Sequence, residues 1–239
     1  MQAKIPKFKY IKANNFSKNK TVIMYHGWGS IIDSQVVIGE EIANRGFNVV
    51  IPEIIYHDTR QPLNNPFEKS TMQNYFWKTV FKSIDEVNGL IQSLRIDTEN
   101  VILYGSSMGG FIASGIFFSD IKYAGLINVN GSSSFATSEN ILREMDLRKP
   151  LEMDELNLIK QYDPRFKKIQ QDGVVLFLHG ESDQIVPIGD QQEFYRHLIN
   201  IEEAKRVKFI TYENVNHSVT DSMVVDLIDW LETNYNNPI

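Results

Sequence analysis

The stretch Val101-Ile102-Leu103-Tyr104-Gly105-Ser106-Ser107-Met108-Gly109-Gly110 runs from four apolar residues straight into Gly-x-Ser-x-Gly. A helix-compatible segment, Phe111-Ile112-Ala113-Ser114-Gly115-Ile116-Phe117, follows at once. Strand, sharp turn and helix form the setting in which this pentapeptide makes a nucleophile elbow. The turn holds its central residue in a strained backbone conformation, and crowding excludes side chains from the flanking positions. Here the flanks are Gly105 and Gly109, and the central residue is Ser107. The spacing predicts that the Ser107 hydroxyl projects from the tip of the turn, at the carboxyl edge of a sheet.

A serine hydroxyl is a weak nucleophile until a base takes its proton, and the base needs an orienting partner. Histidine occurs at positions 26, 57, 179, 197 and 217. Only His217, in Asn214-Val215-Asn216-His217-Ser218, follows the last strand-like run and precedes the last helix-like one. That position predicts a loop returning to the edge that carries Ser107. His57, in a long loop, is the alternative base. His179 reads as structural, and His197, beside Arg196, as solvent-facing. An orienting acid belongs on a loop after an intervening strand. Leu176-Phe177-Leu178-His179-Gly180-Glu181-Ser182-Asp183 offers Asp183, with Glu181 as the alternative. An oxyanion needs backbone N–H donors. Met108, just after the nucleophile, supplies one, and Trp28 in Tyr25-His26-Gly27-Trp28-Gly29-Ser30 supplies the second. Phe111 and Phe135 are candidates for an apolar acyl pocket.

Outward from the elbow, β-branched apolar runs at 21–25, 48–51, 101–104, 124–129, 174–178 and 207–211 alternate with helix-like segments. The helices are expected at 33–45, 71–94, 108–118, 188–200 and 219–234. In the longest, Trp77, Phe81, Ile84, Val87, Ile91 and Leu94 recur at three- and four-residue steps and read as a core stripe. Such alternation predicts an α/β fold: a mostly parallel open sheet with helices on both faces and ligands beyond the carboxyl ends of the strands. Residues 55–70, with Pro62 and Pro66, read as a long loop. Residues 131–172, with helical stretches at 138–148 and 152–161, read as a small lid-like insertion or an elaborated crossover. One domain over 1–239 is expected.

Composition narrows the partners. A net charge of −6 argues against nucleic-acid binding by bulk electrostatics. Hydrophobic residues make up 42% and charged ones 23% of the chain, as in water-soluble globular proteins. The first 20 residues hold six lysines and no apolar core, so no secretory signal is expected. No apolar run reaches membrane-spanning length, so no membrane association is expected. The chain has no cysteine, which excludes a cysteine nucleophile and thiolate metal sites and fits a cytoplasmic setting. Neither a phosphate-binding glycine motif nor a metal-ligand spacing such as His-Glu-x-x-His is present, so no cofactor and no metal are expected. Sequence does not set the oligomeric state.

Taken together, His26-Gly27, Gly105-x-Ser107-x-Gly109, His179-Gly180-x-x-Asp183-x-x-Val186-Pro187 and Asn216-His217 resemble the α/β-hydrolase superfamily. The chain order Ser, Asp, His is that superfamily's order. The likeness extends from about residue 20 to 235. It is nearest in form to compact bacterial esterases of the dienelactone-hydrolase and prolyl-oligopeptidase-like branches, where a segment like Tyr162-Asp163-Pro164 precedes the acid-bearing strand. Ser106 departs from the histidine or bulkier residue that many relatives carry before the nucleophile. The short amino-terminal portion implies that the superfamily's first antiparallel strands are reduced. The resemblance implies a cofactor-free serine hydrolase with Ser107, Asp183 and His217 as triad, Trp28 and Met108 as oxyanion donors, and a small-molecule ester as substrate. A short-peptide peptidase or a thioesterase would use the same triad. A non-catalytic ligand-binding module is the remote alternative.

Overall fold

The computed structural model describes residues 5–14, 17–167, 172–200 and 206–235. The rest of the 1–239 span, including residues 168–171 of the expected insertion, lies outside them. The strands are β1 (Phe8–Ile11), β2 (Thr21–Tyr25), β3 (Asn48–Pro52), β4 (Val101–Ser106), β5 (Gly125–Val129), β6 (Val174–Gly180) and β7 (Val207–Tyr212). They form one sheet in the order β1-β3-β2-β4-β5-β6-β7. Only β1 is antiparallel, pairing Phe8 with Pro52 and Ile11 with Val49. Among the described residues it is the one antiparallel strand, at the edge of the sheet.

The helices are α1 (Val36–Asn44), α2 (Lys69–Leu94), α3 (Met108–Phe117), α4 (Phe135–Met145), α5 (Met153–Tyr162), α6 (Ile188–Asn200) and α7 (Asp221–Tyr235). The first expected helix is split. A single tight turn at Ile32–Gln35 precedes α1, because the Asp58 carboxylate captures the Ile32 amide and sets the entry of the chain.

The central strands are buried on both faces, which is why they read as unbroken apolar runs. Successive residues feed opposite layers. Ile23, Leu103, Val175 and Phe177 face the layer of α2, α3, α4 and α6, whereas Val22, Met24, Ile102 and Leu176 face α1 and α7. The stripe on α2 behaves as the spacing predicts: Phe81, Val87 and Ile91 are core, and Trp77, Ile84 and Leu94 pack against it.

The described part of the 131–172 region carries α4 and α5. Its Phe135, Ala136 and Ile159 enter the same core layer as α2 and α3. Three polar contacts pin it. Trp77 Nε1 donates to Glu139 at 2.8 Å, the Ala136 amide donates to the buried Asp163 carboxylate at 2.8 Å, and the Ser138 hydroxyl donates to buried Asp190 at the start of α6. Among the described residues, no helix is long and apolar enough to cross a membrane.

Candidate active site

Parallel pairing of β4 with β2 and β5 brings three carboxyl-end loops to one rim. At the end of β4 the backbone of Ser107 takes φ 55° and ψ −122°, a region that costs of order 1–3 kcal/mol for a residue with a side chain. Two contacts hold it there: the Ser107 amide donates to Val129 O at 2.9 Å, and the Gly110 amide donates to Ser107 O at 2.8 Å. The flanking glycines are required by space. A Cβ on Gly105 would overlap the Gly109 carbonyl, and one on Gly109 would overlap the Tyr25 carbonyl.

The Ser107 hydroxyl meets His217 Nε2 at 2.7 Å, and His217 Nδ1 meets Asp183 Oδ2 at 2.7 Å. These side chains come from the loops after β4, β7 and β6. Asp183 is buried, and its Oδ1 accepts the amides of Ile185 and Val186, each at 2.9 Å. Burial alone would raise its carboxyl. The hydrogen bonds from His179, His217 and the Val186 amide outweigh that and hold it well below the ordinary carboxylate range. Its charge is therefore kept where a neighbouring imidazolium would form. Glu181 is exposed and bonds the Thr211 hydroxyl at 2.6 Å, so it takes no part.

The turn after β2 approaches Ser107 closely: a Cβ on Gly27 would lie 3.2 Å from Ser107 Cβ. Trp28 follows it, with its ring Nε1 donating to Pro66 O at 2.9 Å. Met108 opens α3, so its amide has no partner within the helix and sits at the helix's positive end.

Several expectations need correction. Phe111 and Phe135 are 1% and 0% exposed. Their rings lie 5.7 Å apart, packed with Phe76 and Trp77. They form core and offer no open surface to an acyl group, because both rings sit in the packed layer between α2, α3 and α4. His197 is half-buried rather than solvent-facing; it takes a hydrogen bond from Arg165 at 3.0 Å and lies beside Phe194. His57 is buried, and its Nε2 is taken by the Gly29 amide at 3.0 Å, so it does not serve as the alternative base.

One residue that reads as structural in the sequence, and one that the sequence reading does not single out, support the site. His179 lies 3.4 Å from the Asp183 carboxylate as well as 2.8 Å from Val186 O. Asn130, at φ 50°, accepts the Gly180 amide at 3.0 Å and donates to Ser218 O at 2.8 Å. Asparagine just past a strand end in a left-handed conformation is the one sequence cue available for it. Among the described residues, no group of three or more His, Asp or Glu is placed to hold a metal ion.

The open, mostly parallel sheet and the Ser–His–Asp arrangement at its carboxyl rim define an α/β-hydrolase of the serine-hydrolase type. The chain belongs to the prolyl oligopeptidase family, whose model matches residues 41–236. It is 27% identical over 254 residues to the Bacillus subtilis (strain 168) protein named "Putative esterase YitV", covering 96% of this chain and 95% of that one. Among solved structures it resembles TT1662 from Thermus thermophilus, with a TM-score of 0.72, 15% identity, and coverage of 98% of this chain and 95% of that one. It also resembles esterase PE8, with a TM-score of 0.68, 14% identity, and coverage of 96% and 99%. The protein is an esterase-like α/β-hydrolase.

Proposed function

We propose that the protein is a carboxylesterase that cleaves esters of small acyl groups through an acyl-enzyme on Ser107. The observation that carries this reading is the 2.7 Å contact between His217 Nε2 and the Ser107 hydroxyl, backed by Asp183 at 2.7 Å. His217 takes the hydroxyl proton as Ser107 Oγ bonds to the ester carbonyl carbon. The carbonyl oxygen becomes an oxyanion, which the amides of Trp28 and Met108 receive. Collapse breaks the bond to the alcohol oxygen, and the imidazolium returns its proton to that alcohol. Water then attacks the acyl-enzyme, with His217 again as base, and releases the acid. Buried Asp183 keeps the His217 proton on Nδ1 and stabilises the imidazolium.

A fluorophosphonate probe should label the wild type and spare Ser107→Ala. Equal labelling of both would reassign the nucleophile. Membership in the prolyl oligopeptidase family favours peptide cleavage as the second reading. Short p-nitrophenyl esters, acyl-CoA thioesters and aminoacyl anilides, compared by kcat/KM, separate the readings. Anilides above esters would reverse the order proposed here.

A further inference from the structure

Behind the loop that carries Trp28 lies a buried histidine that the acyl-transfer steps do not use. The His57 residue is 4% exposed. Its Nδ1 faces the Ile55 carbonyl at 3.0 Å, and its Nε2 faces the Gly29 amide at 3.0 Å. A carbonyl only accepts and an amide N–H only donates. These partners fix the ring as neutral imidazole with its proton on Nδ1. Burial of the ring lowers its basicity in the same direction. The bond to the Ile55 carbonyl opposes that, His26 adds to it, and the Asp58 charge opposes it.

Gly29 is the residue after Trp28, at φ +69°, so the anchored amide fixes the plane that ends the Trp28 residue. The Trp28 ring stands edge-on to the His57 ring, with centroids 5.1 Å apart. Phe67 covers the Gly29 Cα so closely that a Cβ there would overlap its ring. His57 itself sits on a stiff support. Tyr56, Asp58 and Gln61 all have left-handed backbones, at φ 66°, 51° and 57°. Arg60 reaches the Glu53 carbonyl at 3.0 Å and grips buried Glu86 on α2 with two bonds of 2.9 and 2.8 Å. Asp58 accepts the Ile32 amide at 2.9 Å and faces His26 Nε2 at 3.2 Å. Among the ties between this loop and the segment braced on α2, the His57 Nε2 contact is the one that holds the backbone amide next to Trp28.

We propose that His57 is a positioning residue: its neutral Nε2 anchors the Gly29 amide and so aims the Trp28 amide at the oxygen that turns negative during acyl transfer. The inference rests on the hydrolytic reading of Ser107. Loss of the anchor leaves the Ser107–His217–Asp183 contacts in place and loosens a donor needed only in the transition state. Such a loss lowers kcat rather than raising KM.

The test compares wild type, His57→Phe and His57→Gln on a short p-nitrophenyl ester, with thermal unfolding as the check on folding. Phenylalanine fills the space without an acceptor, and kcat should fall about 10- to 100-fold with KM within about 3-fold. Glutamine can present an oxygen to Gly29 and an amide to Ile55, and kcat should recover to within about 5-fold of wild type. If the Phe ring does not fit, His57→Leu makes the same deletion with a smaller side chain. Full kcat in the Phe or Leu variant, or a Gln variant as impaired as they are, overturns the proposal. A wild type that neither turns over esters nor reacts with a fluorophosphonate at Ser107 overturns the hydrolase reading instead.

Discussion

Asn130 Nδ2 donates to the Ser218 carbonyl at 2.8 Å, while Asn130 Oδ1 accepts the Gly180 amide at 3.0 Å. One side chain at the end of β5 therefore ties together the strand that leads to Asp183 and the loop that carries His217. Its own amide bonds Leu178 O at 2.9 Å. The separation of His217 and Asp183 is set by this bridge as well as by their direct contact.

Asn130→Ala removes both side-chain bonds and leaves the Ser107, His217 and Asp183 side chains untouched. Their relative placement loosens, and kcat on a short ester should drop about 10- to 100-fold, because small misplacements of reacting groups are costly. Steady-state kinetics at constant pH check it. An Ala variant with wild-type kcat would show that the His217 loop holds its place without the bridge.

Two glycines in helices should respond in opposite directions to alanine. Gly109→Ala drives a methyl into the Tyr25 carbonyl, and stability should fall by about 1–3 kcal/mol, the usual range for overpacking. Gly89, inside α2, has no atom within 4 Å of an added Cβ. Gly89→Ala should stabilise by about 0.5–1 kcal/mol through helix propensity and unfolded-state entropy. Urea denaturation measures both: a Gly109→Ala variant as stable as wild type would contradict the packing of the elbow, and a destabilised Gly89→Ala variant would contradict the open space at α2.

Asp190 gives a pH signature of stability. Burial raises its carboxyl; bonds from Ser138, Ser132 and the Gln191 amide, and the nearby His179, oppose that only in part. A carboxyl raised in the folded state contributes its full stability below the unfolded value of 3.8. That contribution is lost as pH rises through the folded value. Asp190→Asn lacks this loss. The melting-temperature difference, variant minus wild type, should grow more positive from about pH 4 to pH 8. A flat or falling difference contradicts the direction of the shift.

What the chain disclosed in advance follows a physical rule. The elbow, the strand ends and the order of Ser107, Asp183 and His217 were legible because each depends on a contiguous stretch with its own period or turn chemistry. The pocket assignment of Phe111 and Phe135 failed because the elbow says where Ser107 points and nothing about which side of α3 meets α2. His197 was misjudged for a similar reason: its partner Arg165 sits on a distant segment. The pairing of His57 with Gly29 spans 28 residues and leaves no periodic trace. Asn130 does not stand out in the sequence, because its partners Gly180 and Ser218 lie 50 and 88 residues away.

Trp28 has one further consequence. Of the three tryptophans, Trp77 is wedged among Phe81, Phe111 and Phe135, and Trp230 belongs to the opposite core layer. Trp28 alone follows Gly27, where an added Cβ would lie 3.2 Å from the Ser107 Cβ. Its indole emission is thus a built-in optical gauge. If the proposed acyl-enzyme forms on Ser107, stopped-flow fluorescence should register its loading and unloading with an unlabelled substrate, and an emission trace unchanged by substrate would contradict it.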